Sequence, residues 1–204
     1  MDVFFVISGY LISQIIIKQT HKNSFTYKDF YLRRIKRIIP TLLVVLAATL
    51  FIVWRYCQLD QTILTLNTLD ASLVFGANIQ VLFYEKGYFD ADMHSNFLLH
   101  LWSLGVEEQF YIFWPCILMV VLKKYQNKVL SVLGGYAVSS FLLSIVCVYV
   151  NQKLAFYFPF CRFWQMAVGG ILAYLNFSFK SSRINNALST VSLVAILVTV
   201  FVIN

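Results

Sequence analysis

His100–Leu122 reads HLWSLGVEEQFYIFWPCILMVVL, and its reading decides the fold. From Leu101 onward the run is long enough to cross a bilayer as an α-helix, yet it carries two adjacent carboxylates, Glu107 and Glu108. An ionised side chain inside such a helix costs roughly 2.5–3.5 kcal/mol, so the pair has a reason to be there. On a helix His100, Ser103, Glu107 and Tyr111 recur at steps of three and four and share one face, while Trp102, Phe110 and Phe113 lie elsewhere. An apolar helix with a polar stripe either packs that stripe on polar groups of a neighbour, fixing bundle geometry, or marks an ion path, a proton relay or a substrate site.

Composition agrees that the solvent is lipid. Of 204 residues, 60% are hydrophobic, 17% aromatic and only 12% charged, about half the charge of a soluble domain. The net charge is +7, but the basic residues fall in short clusters between apolar runs, which speaks of membrane topology before any anionic ligand. No nucleic-acid-binding pattern is present. Cys57, Cys116, Cys147 and Cys161 show no metal-ligand spacing, so no metal site or disulfide framework is expected, although Cys57 and Cys161 could meet on the outer side.

Working outward, the other apolar runs are Val3–Ile17, Ile38–Trp54, Ala71–Tyr84, Val129–Val150, Phe163–Phe179 and Ala187–Ile203. Their lengths exclude the ten-residue alternating strands of a membrane β-barrel. The expected fold is an all-α polytopic helical bundle, with about six membrane helices plus one short re-entrant or interfacial helix, Ala71–Tyr84, in a single domain over residues 1–204. The first run has Asp2 before it and Lys18 after it, the wrong flanks for a signal peptide, and reads as a helix whose beginning lies upstream. If Ala71–Tyr84 does not span, the loops divide 12 basic residues on one side against four on the other; if it spans, ten against six. The first division follows the positive-inside rule better and makes the connection Lys18–Arg37 cytoplasmic.

That connection contains FYLRRIKRIIP, Phe30–Pro40, with Arg33 and Arg37 on one helical face and Pro40 in the first turn of the next apolar run. Guanidinium forks held together suit phosphate oxygens, of a ligand or of lipid headgroups. A second polar cluster, Arg162 to Gln165, opens the run that contains Gly169 and Gly170, where a neighbouring helix can approach closely. Arg162 and Trp164 read as interface anchors, and Arg162 also as a partner for the carboxylates.

Four stretches, DVFFVISGYLIS (Asp2–Ser13), FYLRRIKRIIP, GYFDA followed by LLHLWSLGVEEQFYIFWP (Gly87–Pro115), and RFWQMAVGGILAY (Arg162–Tyr174), together resemble the acyltransferase-3 family of integral-membrane O-acyltransferases. That group includes bacterial lipopolysaccharide and other cell-surface glycan O-acetylases. The resemblance implies a bundle of about ten helices in the inner (plasma) membrane that takes an acyl group, usually acetyl, from acyl-CoA (acetyl-CoA) on the cytoplasmic side. The group is delivered to a hydroxyl of a glycan acceptor outside. Acyl-CoA is then a donor substrate and no bound cofactor is expected. Arg33, Arg34 and Arg37 match the basic motif expected to hold the donor. Glu107 and Glu108 match the acidic motif, with His100 beside them as catalytic candidates, and Trp102, Ser103, Arg162 and Trp164 fall in the substrate-site candidates.

The departures are as specific. Family members carry an essential histidine upstream of the Asp-x-Phe-Phe motif, and none of His21, His94 and His100 takes its place by motif. Gln165 stands where the family often has glutamate, and Phe97 where many members have proline. The chain is therefore expected to be a partial domain, inactive alone, with a further polypeptide as a candidate source of the missing helices. Two other classes remain open: a proton-coupled transporter or flippase of a polysaccharide precursor, which uses intramembrane carboxylates, and a non-catalytic remnant.

Overall fold

The computed structural model describes residues 2–83 and 96–176, together with 186, 189–192, 194 and 198. The GYFDA stretch, Lys86, His94, Lys180, Arg183 and most of the run Ala187–Ile203 lie outside the described residues. The chain divides into two compact units, Met1–Tyr174 and Leu175–Asn204. In the second, each described residue from Asn186 onward is helical.

In the first unit the described secondary structure is α-helical with two single 3-10 turns. In order the helices are α1 (Asp2–His21), α2 (Tyr27–Tyr56), α3 (Leu59–Leu73), α4 (Ala77–Phe83), α5 (Leu101–Lys124), α6 (Val129–Val150), α7 (Gln152–Tyr157) and α8 (Phe163–Leu175). Four of them, α1, α2, α5 and α6, are long and apolar enough to cross a membrane; α8 is a shorter apolar helix. The protein is thus an all-α polytopic membrane protein. Exposed Val44, Phe51 and Trp54 of α2 and Val138, Leu142 and Val146 of α6 form the apolar surface that lipid covers.

The carboxylate helix is the hub. In its most apolar stretch 61% of α5 is buried, against 17% for α2 and 22% for the α6 segment. Phe5 packs against Trp102, Ser13 meets Trp114 and Thr20 meets Met119, so α1 and α5 run parallel. Along α2 the order reverses: Tyr31 meets Ile112, whereas Leu42 and Leu46 share a cluster with Leu98, Leu101 and Ala77. Helix α2 is therefore antiparallel to α5. One end of the unit gathers His21, Lys123 and Tyr174, and the other Asp2 and Arg162.

This arrangement answers the topology question for the described residues. Among the described residues between α2 and α5 no helix is long enough to cross, because the run starting at Ala71 breaks. Helix α3 ends in a left-handed residue, Phe75 at φ 55°, with Phe75 N–H bonding Ser72 O (3.1 Å) and Gly76 N–H bonding Ala71 O (2.7 Å). That is the αL helix stop usually supplied by glycine, here on a bulky residue whose carbonyl accepts a 2.9 Å bond from Gln109 Nε2. Neither α3 nor α4 alone is long enough to span.

Two sequence expectations need correction. The stretch Lys18–Arg37 is not a polar connection that precedes the next helix: Lys18 to His21 close α1, and Lys28–Arg37 form the first three turns of α2, which runs unbroken through Pro40. Only residues 22–26 connect α1 to α2. The reason is packing: Phe30 is buried and Tyr31 donates to Ile112 O at 2.8 Å, so the basic turns are drawn along α5. Pro115, inside α5, cannot supply the N–H that Tyr111 O would accept and loosens the turn from which Ile112 O reaches Tyr31. The second correction concerns sulfur: Cys161 packs in a buried cluster with Cys147, and all four cysteines are free, so Cys57 and Cys161 do not pair.

Candidate active site

Three motifs meet at Glu107. Ser8, from the DVFFVISGYLIS stretch of α1, donates its hydroxyl to Glu107 Oε1 at 2.5 Å, and Tyr111, one turn along α5, donates to the same oxygen. Over the Tyr111 ring, 4.7 Å from its centre, lies the guanidinium of Arg34 from α2. A carboxylate with two hydroxyl donors is fixed in place and its desolvation is compensated, as a buried polar group requires.

Glycines make the approach possible. A Cβ on Gly9 would strike the backbone carbonyl of Met166, and one on Gly169 the backbone carbonyl of Val6, so α1 and α8 touch backbone to backbone. A Cβ on Gly170 would come within 2.5 Å of the Trp114 ring and 2.9 Å of Ser13 Oγ, the acceptor of the 2.7 Å Trp114 Nε1 bond. The neighbour anticipated for Gly169 is α1, and Gly170 meets Trp114 of α5 and Ser13 of α1.

Adjacent residues of the Glu-Glu-Gln string face different partners, since each is turned about 100° from the last. Glu107 faces α1. Gln109 exchanges amide hydrogen bonds with Asn78 of α4, 2.9 and 3.2 Å, and Asn78 Nδ2 also donates to Tyr157 O at 3.1 Å. Glu108 lies between them, buried, with Oε1 holding no hydrogen-bond partner. The site thus contains one carboxylate that is held and one with a free acceptor oxygen.

The remaining candidates separate into groups. Trp102 is buried against Phe5, Phe156 and Tyr157, and its Nε1 has no hydrogen-bond partner. Arg162 lies over the same Phe156 ring at 4.8 Å, donates Nε–H to Phe156 O at 3.1 Å and pairs with Asp2 at 3.3 Å. Its carboxylate partner is therefore Asp2 of α1, not Glu107 or Glu108 as expected from the sequence. Trp164 packs edge-on against Phe141 of α6, its backbone N–H bonding Ser140 Oγ at 2.9 Å.

His100 and Ser103 do not join Glu107. Ser103 returns its hydroxyl to His100 O at 3.1 Å, and His100, exposed at the start of α5, faces a cavity of about 320 Å³ shared with Arg37. The three arginines take three environments: Arg33 donates to Gln19 at 3.3 Å, Arg34 covers Tyr111 and Arg37 lines the His100 cavity. A single clamp of three forks is not formed: Arg34 is turned about 100° from Arg33, and Arg33 and Arg37, one turn apart on the same face, meet different neighbours, Gln19 of α1 and the cavity beside His100. Sequence reasoning missed Ser8, Asp2 and Asn78. Each is a polar residue in or beside an apolar run, the signal that singled out Glu107, but its partner lies 31 to 160 residues away.

The acyltransferase-3 profile, described as an acyltransferase domain, matches residues 1–204. An uncharacterized protein of Haemophilus influenzae is 35% identical over 215 residues, covering 100% of this chain and 87% of that protein. The peptidoglycan O-acetyltransferase OatA of Listeria monocytogenes is 32% identical over 218 residues, covering 99% of this chain but 35% of that enzyme. The chain thus spans about a third of the length of that curated relative. No solved structure matches the chain. Matched along its whole length by one family profile, the protein belongs to the acyltransferase-3 family of membrane acyltransferases.

Proposed function

We propose that this domain moves an acyl group, acetyl in the first instance, from acyl-CoA to a hydroxyl of a cell-surface glycan. In this reading the bundle sits in the plasma membrane with its basic end cytoplasmic, as the positive-inside rule favours. The observation that supports it best is the meeting of Ser8, Glu107, Tyr111 and Arg34 inside a bundle of this family. That a relative is named a peptidoglycan O-acetyltransferase favours a glycan acceptor.

A sugar hydroxyl is a weak nucleophile, and attack on a thioester carbonyl needs a proton acceptor and a positive or N–H group facing the oxyanion. The free oxygen of Glu108 takes the hydroxyl proton. The tetrahedral intermediate then collapses, the C–S bond breaks, and the proton passes to the leaving coenzyme A thiolate. Glu107, held by Ser8 and Tyr111, fixes Arg34 and its charge beside the reacting group. Arg33 and Arg37 hold donor phosphates, while Trp102, Ser103, Arg162 and Trp164 border the acceptor, with His100 at the mouth of the Arg37 cavity.

The test is transfer of radiolabelled acetyl from acetyl-CoA to peptidoglycan and lipopolysaccharide in membranes carrying the complete polypeptide. Glu107→Gln and Glu108→Gln should each lower transfer on the order of 10²-fold or more with protein level unchanged. Unchanged transfer in both variants would remove the carboxylates from the chemistry. The buried, unpartnered Glu108 oxygen also suits a proton-coupled transporter. Glycan movement that follows a pH gradient without any acyl donor would favour that reading.

A further inference from the structure

At the basic end of the first unit a cavity of about 430 Å³ opens between the end of α1, the α5–α6 connection and the end of α8. We infer that it is a binding site for a phosphate ester, presented either by a lipid headgroup or by a soluble nucleotide. Its walls carry His21, Asn23, Lys123, Gln126 and Tyr174, each with a hydrogen-bond donor, beside Thr20, whose hydroxyl donates to Ile16 O at 2.8 Å, and among the described residues that line it none is a carboxylate.

The site is built rather than incidental. Helix α1 ends in a left-handed Asn23, φ 52°, closed by Asn23 N–H to Thr20 O (3.0 Å) and Ser24 N–H to Gln19 O (2.9 Å), which turns Thr20, His21 and Asn23 around one wall. Across from it, Val129, buried in the floor, begins α6, whose N-terminus has no side-chain cap. Gln126 and Val129 of this segment line the cavity, so the start of α6, the positive end of its dipole, borders it and favours an anion.

Electrostatics point the same way. The segment Lys18–Lys28 holds no acidic residue, and none occurs after Glu108, so Lys123 has no carboxylate beside it in its own half of the chain. Lys18, Lys22, Lys124 and Lys128 flank the cavity-lining segments in sequence and raise the local potential. Phosphate fits better than carboxylate because several oxygens can satisfy donors that converge from three helices. Basic pockets between membrane helices are where anionic headgroups seat. The cavity is also separate from the carboxylate site: Thr20 is 12 residues beyond Ser8 on α1, about 18 Å along the axis.

The lipid source is independent of the acyl-transfer reading, whereas the nucleotide source, the phosphorylated end of coenzyme A, rests on it. The experiment uses the whole chain in nanodiscs. Adenosine 3′,5′-bisphosphate is titrated by calorimetry in neutral phosphatidylcholine discs, and retained phosphatidylglycerol is counted by native mass spectrometry after mixed discs are dissolved. At least one probe should bind, at least tenfold more weakly in His21→Gln/Lys123→Gln and unchanged in Arg55→Gln at the opposite end. Nucleotide binding that the double variant weakens identifies the soluble source, and phosphatidylglycerol retention that it weakens identifies the lipid one; nucleotide held equally by wild type and double variant belongs to Arg33 and Arg37 and overturns the soluble source. Should the double variant not fold, protection of Lys123 from amine acetylation in the unmodified chain decides: either probe should slow the reaction. Binding by neither probe, or equal binding by wild type and folded double variant, overturns the site. Glu107→Gln should leave both probes bound, so failure of the transfer chemistry and failure of this site are told apart.

Discussion

Ser8 and Tyr111 donate to one oxygen of Glu107, and this shared acceptor makes their contributions interdependent. Removing one donor leaves the other to hold the buried carboxylate, so Ser8→Ala or Tyr111→Phe should each destabilise the protein by about 1–3 kcal/mol. The double variant should depart from the sum of the two by about 0.5 kcal/mol or more, measured as a double-mutant cycle in denaturant or thermal unfolding in detergent. Additive losses would mean the hydroxyls act apart. The Asp2–Arg162 pair is a different case. Asp2 is 68% exposed at its side chain, and an ion pair with so wet a partner contributes about 0–1 kcal/mol. Arg162 in addition bonds Phe156 O and covers its ring. Asp2→Asn should therefore change stability by less than about 1 kcal/mol, and Arg162→Ala by clearly more. Equal effects would show that the charge pair is the main contribution.

At the scale of helices, small residues decide where backbones meet. Gly9 and Gly169 leave no room for a Cβ, whereas Gly134 and Gly135 on α6 have open space around theirs. Gly9→Ala should destabilise by about 1–3 kcal/mol through forced separation of α1 and α8, and it should lower acyl transfer because Ser8 is the next residue. Gly135→Ala should be neutral or stabilising by up to about 1 kcal/mol, since alanine is the better helix former. Thermal unfolding of the two variants side by side measures this, and a reversed order would place the α1–α8 contact elsewhere. The same scale explains the α3–α4 break. Gly76 marks the turn in the sequence, but the left-handed residue is Phe75, held by Gln109 from α5. A local rule places the break within a residue; the tertiary bond selects which residue bends.

For the first unit as a whole, the parallel run of α1 and α5 requires that α2 cross once and that the chain between α2 and α5 return on the same side. Single cysteines replacing Lys22 and Lys124, in a chain freed of its four cysteines, should then react with a membrane-impermeant thiol reagent from one side. Cysteines replacing Arg55 and Lys153 should react from the other. Labelling of Lys22 and Lys124 positions from opposite sides would mean that the segment from Leu59 to Phe83 crosses the membrane. Charge alone distinguished the two topologies by a modest margin, because many basic residues lie within helices rather than in loops.

By itself the sequence determined what composition and local pattern can carry: a helical membrane protein, the carboxylate helix at its centre, and motifs specific enough to name a family. Those signals are local, since apolar length and side-chain spacing reflect the solvent around one helix. Only the tertiary structure decided that Ser8, rather than His100 or Ser103, meets Glu107, that Arg162 pairs with Asp2, and that the arginines of α2 part company. A hydrogen bond between residues 99 or 160 positions apart leaves no periodicity in the chain. It exists because packing of α1, α2 and α8 around α5 brings the two groups within 3.3 Å or less.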